Sequence, residues 1–255
     1  MQNLKIGLLQ FNQAWENKSQ NFERIRQLIQ GGKEIDLLLL PEMFHTSFTM
    51  NAGLSESMEN SSGIAFLKTI SSAFDCAIYT SLIISENSKT YNRGVFIEPC
   101  GKITLYDKRK TFGLAGEDKV YASGETQVII DYKNWKINLQ ICYDLRFPEL
   151  VANRIEKNGS PLYDIILYIA NWPEKRSTHW STLLKARAIE NQAYVLACNR
   201  VGTDANNLSY SGDSCIIDAL GSVLASSTKE GLIEFKIKKE QLNKIRKNLP
   251  FLKDK

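Results

Sequence analysis

Apolar residues in this chain come in short, dense runs separated by amphipathic stretches. LKIGLLQF (4–11) and IDLLLL (35–40) are too short for helices and too continuously apolar for half-exposed strands, so both read as buried strands. Between them, NKSQNFERIRQLIQGG (17–32) sets Phe22, Ile25, Leu28 and Ile29 at helical spacing, with Gly31-Gly32 as the stop. SGIAFLKTISSAF (62–74) is a second amphipathic helix. AIYTSLIIS, GVFIEP and ITLYDK then predict consecutive strands, with turn signals at Asn92-Arg93-Gly94 and Cys100-Gly101.

The second half repeats this grammar. QVIIDY (127–132) and WKINLQI (135–141) flank Lys133-Asn134, a hairpin signature. Arg146 to Asn158 reads as a helix that tolerates Pro148 in its first turn and closes at Asn158-Gly159. DIILYIA (164–170) is a buried strand, STHWSTLLKARAIENQ (177–192) a helix and AYVLACN (193–199) a strand. SCIIDALGSVLAS (214–226) is a hairpin around Leu220-Gly221, and LIEFKI (232–237) a last strand. About a dozen strands with about five helices exceed what one doubly wound sheet can hold. An α/β fold of two sheets face to face, with helices outside both, buries these runs: a four-layer α-β-β-α sandwich in a single domain over residues 1–255.

Composition changes this picture little. The chain is 43% apolar and 24% charged, ordinary for a globular α/β protein. No apolar run approaches the ~20 residues of a membrane span. MQNLKIGLLQFN carries Lys5 inside its apolar stretch and no small-residue cleavage site, so it reads as a first strand, not a signal peptide. Cys76, Cys100, Cys142, Cys198 and Cys215 are odd in number and scattered, which argues against a disulfide framework or a zinc site and for the reducing cytoplasm. The net charge of +4 is local: residues 236–255 hold eight Lys or Arg against Glu240 and Asp254, a net of +6. That segment reads as a solvated basic helix and tail over about 238–255, without the stacking aromatics of a nucleic-acid face.

Three stretches carry candidate chemistry: LLLLPEMF (37–44), LYDKRKTF (105–112) and LQICYDLRFPEL (139–150). Cys142 follows a strand and precedes a helix expected near Leu145. Unpaired N–H groups at such a helix start favour the thiolate and lower its pKa, and the Tyr143 N–H can face a developing oxyanion. An isolated cysteine is more often a buried structural one. Glu42 lies at the carboxyl end of a buried strand, where open α/β sheets place ligands and where desolvation makes a carboxylate a usable base near neutral pH. Lys108 ends ITLYDK as a candidate fixed cation. Arg109 and Lys110 compete with it, and strand alternation puts Lys108 and Lys110 on one face.

PEMF, YDKRKTF, CYDLRFPE and NWPEKRSTHWSTLLKARAIENQAYVLACNRVG resemble the carbon–nitrogen hydrolase (nitrilase) superfamily, in order and over roughly residues 3 to 235. CYDLRFPE and the ANWP…HW…ARAIENQ stretch look most like its omega-amidase branch, which hydrolyses terminal amides of dicarboxylate monoamides such as 2-oxoglutaramate and succinamate. The resemblance implies an αββα sandwich, a homodimer formed through sheet-flanking helices, and a Glu-Lys-Cys triad without metal or cofactor. By position the triad falls on Glu42, Lys108 and Cys142, a second, substrate-positioning glutamate on Glu117, and an aromatic pocket wall on Phe48. Lys110 stands where many relatives have histidine, which blurs the choice of lysine. A substrate carboxylate remote from the amide needs a cation, and Arg146, four residues after the nucleophile, is the candidate. The bland reading of Arg146 is a partner for a carboxylate of its own fold.

Other readings stay open. The same triad serves aliphatic amidases, N-carbamoyl amino acid hydrolases and nitrilases. A non-catalytic scaffold member would need none of the three residues. A Cys–His hydrolase would have to use His45 or His179, the two histidines present, and both read as structural or as edge residues.

Overall fold

Each apolar run becomes a strand, and alternation within the run sorts its side chains into two layers. The computed structural model describes residues 2–30 and 34–255. In chain order it contains β1 (Asn3–Gln10), α1 (Lys18–Ile29), β2 (Leu37–Leu39), α2 (Ser62–Phe74), β3 (Ala77–Glu86), β4 (Lys89–Ile97) and β5 (Ile103–Asp107). The second half contributes β6 (Ile129–Tyr132), β7 (Trp135–Ile141), β8 (Ile165–Ile169), α3 (Ser177–Asn191), β9 (Tyr194–Cys198), β10 (Val201–Thr203) and β11 (Ser209–Ser211). It closes with β12 (Ser214–Ile217), β13 (Val223–Ser227), β14 (Gly231–Lys238) and α4 (Lys239–Asn248).

One six-stranded sheet has the order β14-β1-β2-β3-β4-β5, the other β13-β12-β9-β8-β7-β6. Each centres on three parallel strands, β1-β2-β3 in one and β7-β8-β9 in the other, flanked by antiparallel neighbours. In β2, Leu37 and Leu39 join a core that includes Ile137, Leu139 and Leu167 of the facing sheet. Leu38 and Leu40 point the other way, onto Ile25 of α1 and Ile64 and Leu67 of α2. The sheets also bond to one another: the Tyr79 hydroxyl donates to the Gln140 carbonyl at 3.2 Å. The α3 helix covers the far face of the second sheet through Trp180 and Leu184. This is the four-layer α-β-β-α sandwich expected from the run lengths.

The α1 and α2 helices start on side-chain caps, Asn17 Oδ1 accepting from Gln20 N–H at 3.0 Å and Ser61 Oγ from Ile64 N–H at 2.9 Å. Each cap contributes about 1 kcal/mol. The Gly31-Gly32 stop lies outside the described residues.

Three expectations need correction, and one element is additional. Asn92-Arg93-Gly94 is no turn but the middle of β4; the β3–β4 hairpin turns at Asn87-Ser88, both at positive φ. Gly94 is there because an added Cβ would sit 2.9 Å from the Tyr79 hydroxyl and 3.0 Å from the Tyr106 carbonyl. Residues 146–158 form no α-helix: two short 3₁₀ turns, Cys142–Arg146 and Pro148–Val151, give way to irregular chain. The Leu145 carbonyl is claimed by the Arg187 guanidinium at 2.7 Å, and Asn153 N–H by Asn191 Oδ1 at 2.8 Å, so a helical ladder has no groups to use. The β10–β11 ribbon was not anticipated. Finally, α4 is no free basic helix, because Leu242 is buried and Arg246 donates to Asp164 Oδ1 and the Tyr163 carbonyl, both at 2.8 Å.

Candidate active site

Glu42 follows β2 and Cys142 follows β7, each the continuation of a central parallel-sheet strand at its carboxyl end. Lys108 is the first residue after β5. Because the strand stops at Asp107, alternation does not extend through the YDKRK cluster and the ambiguity resolves. Lys108 turns into the interior at 1% exposure, Arg109 donates to the Leu150 carbonyl at 2.8 Å, and the Lys110 ammonium lies 4.7 Å from the Phe147 ring centroid.

The three residues meet beneath a cleft of about 600 Å³. Lys108 Nζ donates to Glu42 Oε1 at 2.8 Å and to Glu117 Oε1 and Oε2 at 2.9 and 2.8 Å. Both carboxylates are fully buried. Burial works against the Lys108 charge, but Glu117 and Glu42 outweigh it and hold the ammonium above the ordinary lysine range. Glu42 Oε2 accepts the Asn171 N–H at 3.0 Å, and Asn92 Nδ2 bridges Glu42 Oε1 at 2.8 Å and Glu117 Oε1 at 3.0 Å. Glu117 Oε2 also accepts the Phe112 N–H, so its carboxylate is occupied entirely by protein donors.

Cys142 sits at the end of β7 with φ 45°, an unfavourable angle for a residue with a Cβ, and lines the cleft at 9% exposure. The buried Asp144 carboxylate fixes this bend, accepting from Ile141 N–H at 3.0 Å, Lys110 N–H at 2.9 Å and the Tyr106 hydroxyl at 2.7 Å. The expected lowering of the thiol pKa is not found. Burial, then the Glu42 charge, push the Cys142 thiol well above its ordinary range, with Lys108 opposing. The five-residue 3₁₀ turn that replaces the expected helix leaves too little dipole to compensate. A thiol in this setting needs a base, and of the two buried carboxylates Glu42 acts on it more strongly than Glu117. The Tyr143 N–H belongs to the first turn, where no intrahelical acceptor exists, and is free to serve as a donor beside the sulfur.

The cleft wall is aromatic and cationic. Phe48 lines the cleft with its ring centroid 5.2 Å from Lys108 Nζ. Arg146 stacks on Trp172, guanidinium carbon 4.8 Å from the ring centroid, and its Nη2 lies 3.1 Å from His179 Nδ1. Among the described residues Arg146 makes no ion pair, so the bland reading of a structural partner does not hold for it. His179 thus steadies Arg146 from outside the cleft lining. His45 is buried away from the cleft beside Glu56 and Phe44, and burial lowers its pKa. Neither histidine is paired with Cys142. Among the described residues, no group of three or more His, Cys, Asp or Glu could hold a metal ion.

Sequence reasoning missed Asn92, Asn171 and Trp172. Asn92 stands as a polar residue ahead of the apolar GVFI run, where its composition signals a turn instead. Asn171 and Trp172 stand in the ANWP motif, directly after a buried strand, without a role attached to them.

Comparison with known proteins gives the family. The carbon–nitrogen hydrolase family model matches residues 5–247. The omega-amidase YafV of Yersinia enterocolitica is 38% identical over 256 residues, covering 100% of this chain and 97% of that protein. The 2-oxoglutaramate amidase of Bacillus subtilis is 32% identical, covering 98% of this chain and 96% of its own. The structure of XC1258 from Xanthomonas campestris, a CN-hydrolase superfamily protein with an arsenic adduct in its active site, superposes with a TM-score of 0.96 at 35% identity, covering 100% of this chain and 98% of that one. Motif order, sandwich architecture and full-length similarity converge, and the chain belongs to the carbon–nitrogen hydrolase (nitrilase) superfamily.

Proposed function

We propose that this chain is an omega-amidase, a cysteine hydrolase that releases ammonia from the terminal amide of small dicarboxylate monoamides such as 2-oxoglutaramate and succinamate. One observation carries the reading. The cleft that exposes Cys142 also exposes Arg146, a guanidinium with no carboxylate partner among the described residues. A substrate with an amide at one end and a carboxylate at the other matches that pair. Relatives named as omega-amidase and 2-oxoglutaramate amidase support the same assignment.

In this mechanism Glu42 takes the thiol proton as the Cys142 sulfur attacks the amide carbonyl. The Lys108 ammonium and the Tyr143 N–H stabilise the tetrahedral oxyanion, where one such donor is worth about 3 kcal/mol of barrier. Glu42 then gives its proton to the departing ammonia, leaving a thioester on Cys142. Acting again as base, it activates the water that hydrolyses the thioester to a carboxylic acid. Glu117 holds Lys108, and Phe48 closes the wall beside it.

The test is ammonia release from 2-oxoglutaramate, succinamate, uncharged butyramide and an aliphatic nitrile, by wild type and Cys142→Ala. Turnover of the carboxylated amides by wild type and its loss in Cys142→Ala is the expected result. Ammonia only from butyramide or the nitrile, or activity that survives Cys142→Ala, contradicts the assignment.

We further propose a homodimer in the cytoplasm. The exposed Ile189 of α3, with Leu220 and Val223 beside it on the β12–β13 hairpin, offers an apolar patch for a second copy. Light scattering reporting a monomer would contradict the dimer. Five free cysteines suit a reducing compartment, and thiol titration of the native protein checks them.

A further inference from the structure

Asn92 sits at the centre of the buried charge cluster, yet carries no charge. Its side chain is 1% exposed on β4, and its single Nδ2 donates to Oε1 of both Glu42 and Glu117. Lys108 Nζ donates to those same two oxygens. Two donors and two acceptors thus close a ring of four hydrogen bonds, with distances of 2.8, 3.0, 2.8 and 2.9 Å. The Asn92 main chain ties into the same ring, its carbonyl accepting the Lys108 N–H at 3.1 Å.

The ring makes the two oxygens of Glu42 unequal. A carboxylate oxygen offers about two lone-pair sites. Oε1 already accepts from Lys108 and Asn92, whereas Oε2 accepts only the Asn171 N–H. One site therefore remains on Oε2. A neutral donor also matters for charge. With Lys108 as its cation and Glu42 and Glu117 as its anions, the cluster keeps one negative charge over, which a second cation would cancel.

Resting on the amidase reading above, we propose that Asn92 is a positioning residue for the general base: it saturates Oε1 of Glu42, keeps Glu117 bridged to it, and leaves Oε2 as the oxygen that takes the Cys142 proton. In that step the S–H bond breaks, an Oε2–H bond forms, and the sulfur electron pair is released for attack on the carbonyl carbon. Around the ring the other titratable groups are the Cys142 thiol, the phenols of Tyr79 and Tyr121, which burial keeps neutral, and the Asp144 carboxyl. Asp144 acts on Lys108, and burial raises its pKa to about 6. Its titration is common to wild type and both variants, so it cancels in their ratio.

The test uses Asn92→Leu, which has similar volume and no donor, and Asn92→Asp, which has the same shape and an extra carboxyl group. Two readouts are followed against pH: kcat and KM for ammonia release from succinamate, and alkylation of Cys142 by iodoacetamide, read on its own peptide. Asn92→Leu is expected to lower kcat about 10²-fold while KM stays within about threefold, the scale of a displaced catalytic group. Its alkylation should slow in parallel and recover only at higher pH, because with the amide gone Lys108 alone bridges the two carboxylates, and one donor fewer disfavours their charged forms. For Asn92→Asp, the ratio of variant to wild-type rate should rise as pH falls, as the introduced carboxyl becomes a donor. Profiles of unchanged shape in both variants, with a uniform loss, would reduce Asn92 to a packing residue and overturn the proposal. If Asn92→Leu does not fold, the Asn92→Asp ratio decides alone. If wild type releases ammonia from no amide, the amidase reading fails while the alkylation profiles still decide the role of Asn92.

Discussion

Two cations face the same cleft and live under opposite rules. Lys108, on its floor, is 1% exposed and gives hydrogen bonds to two carboxylates. Arg146, on its wall, is half-buried, stacked on Trp172 and without an ion pair among the described residues. On the proposed amidase reading, the floor charge, neutralised by its surroundings and unable to leave them, acts as a preorganised field at the reacting carbon. The wall charge is held in place by an aromatic ring and by His179, and its charge is left for a ligand to satisfy. Chemistry and recognition are thereby assigned to different kinds of cation. Breaking the first should cost stability and turnover together, whereas breaking the second should cost only selectivity.

The sharpest contrast with either cation is the proposed nucleophile: Cys142→Ala should lower kcat by roughly 10⁴-fold or more in ammonia-release assays while leaving the fold intact. Lys108→Met comes next. It strands Glu42 and Glu117 as unpaired buried charges, and denaturant titration should show a loss of about 3–5 kcal/mol alongside the loss of activity. A Lys108→Met protein as stable as wild type would mean that the floor is not an obligate charge pair.

Asp144 offers a pH test of the bend that connects floor and wall. Burial raises its pKa to about 6, against the donors that bind it. A carboxyl group raised on folding adds stability at low pH that is lost as pH rises through that value. Wild-type stability relative to Asp144→Asn should therefore fall between pH 4 and pH 7, by about 3 kcal/mol at most. A pH-independent difference in urea midpoints would contradict this. The smallest effect is expected from His179→Ala, which frees Arg146 to move on Trp172: KM for succinamate should rise a few-fold, with butyramide unchanged.

The parts of the molecule legible in the sequence are those set by local pattern. Apolar runs such as IDLLLL gave their strands because length and continuity leave no other buried form. Glu42, Lys108 and Cys142 stood out because each ends such a run. The turn at Asn87-Ser88 was passed over because Asn92-Gly94 carries a stronger composition signal, and its glycine answers to the nearby Tyr79 hydroxyl rather than to chain reversal. The helix after Cys142 failed for a related reason. Its spacing is plausible, but Arg187, 42 residues later, takes the Leu145 carbonyl. The high thiol pKa was likewise invisible, since it depends on burial within the fold and then on Glu42, a hundred residues away in sequence. What local pattern cannot supply is the identity of a distant partner.

The central claim, that the floor performs the chemistry and Arg146 reads the substrate, is tested most directly by one ratio. It is kcat/KM for succinamate over kcat/KM for butyramide, measured in wild type and in Arg146→Ala. Loss of a charge-assisted hydrogen bond to a carboxylate should lower that ratio about 10- to 100-fold, with butyramide turnover and thermal stability preserved. An unchanged ratio, or a fall in both substrates together, would contradict the division of labour between the two cations.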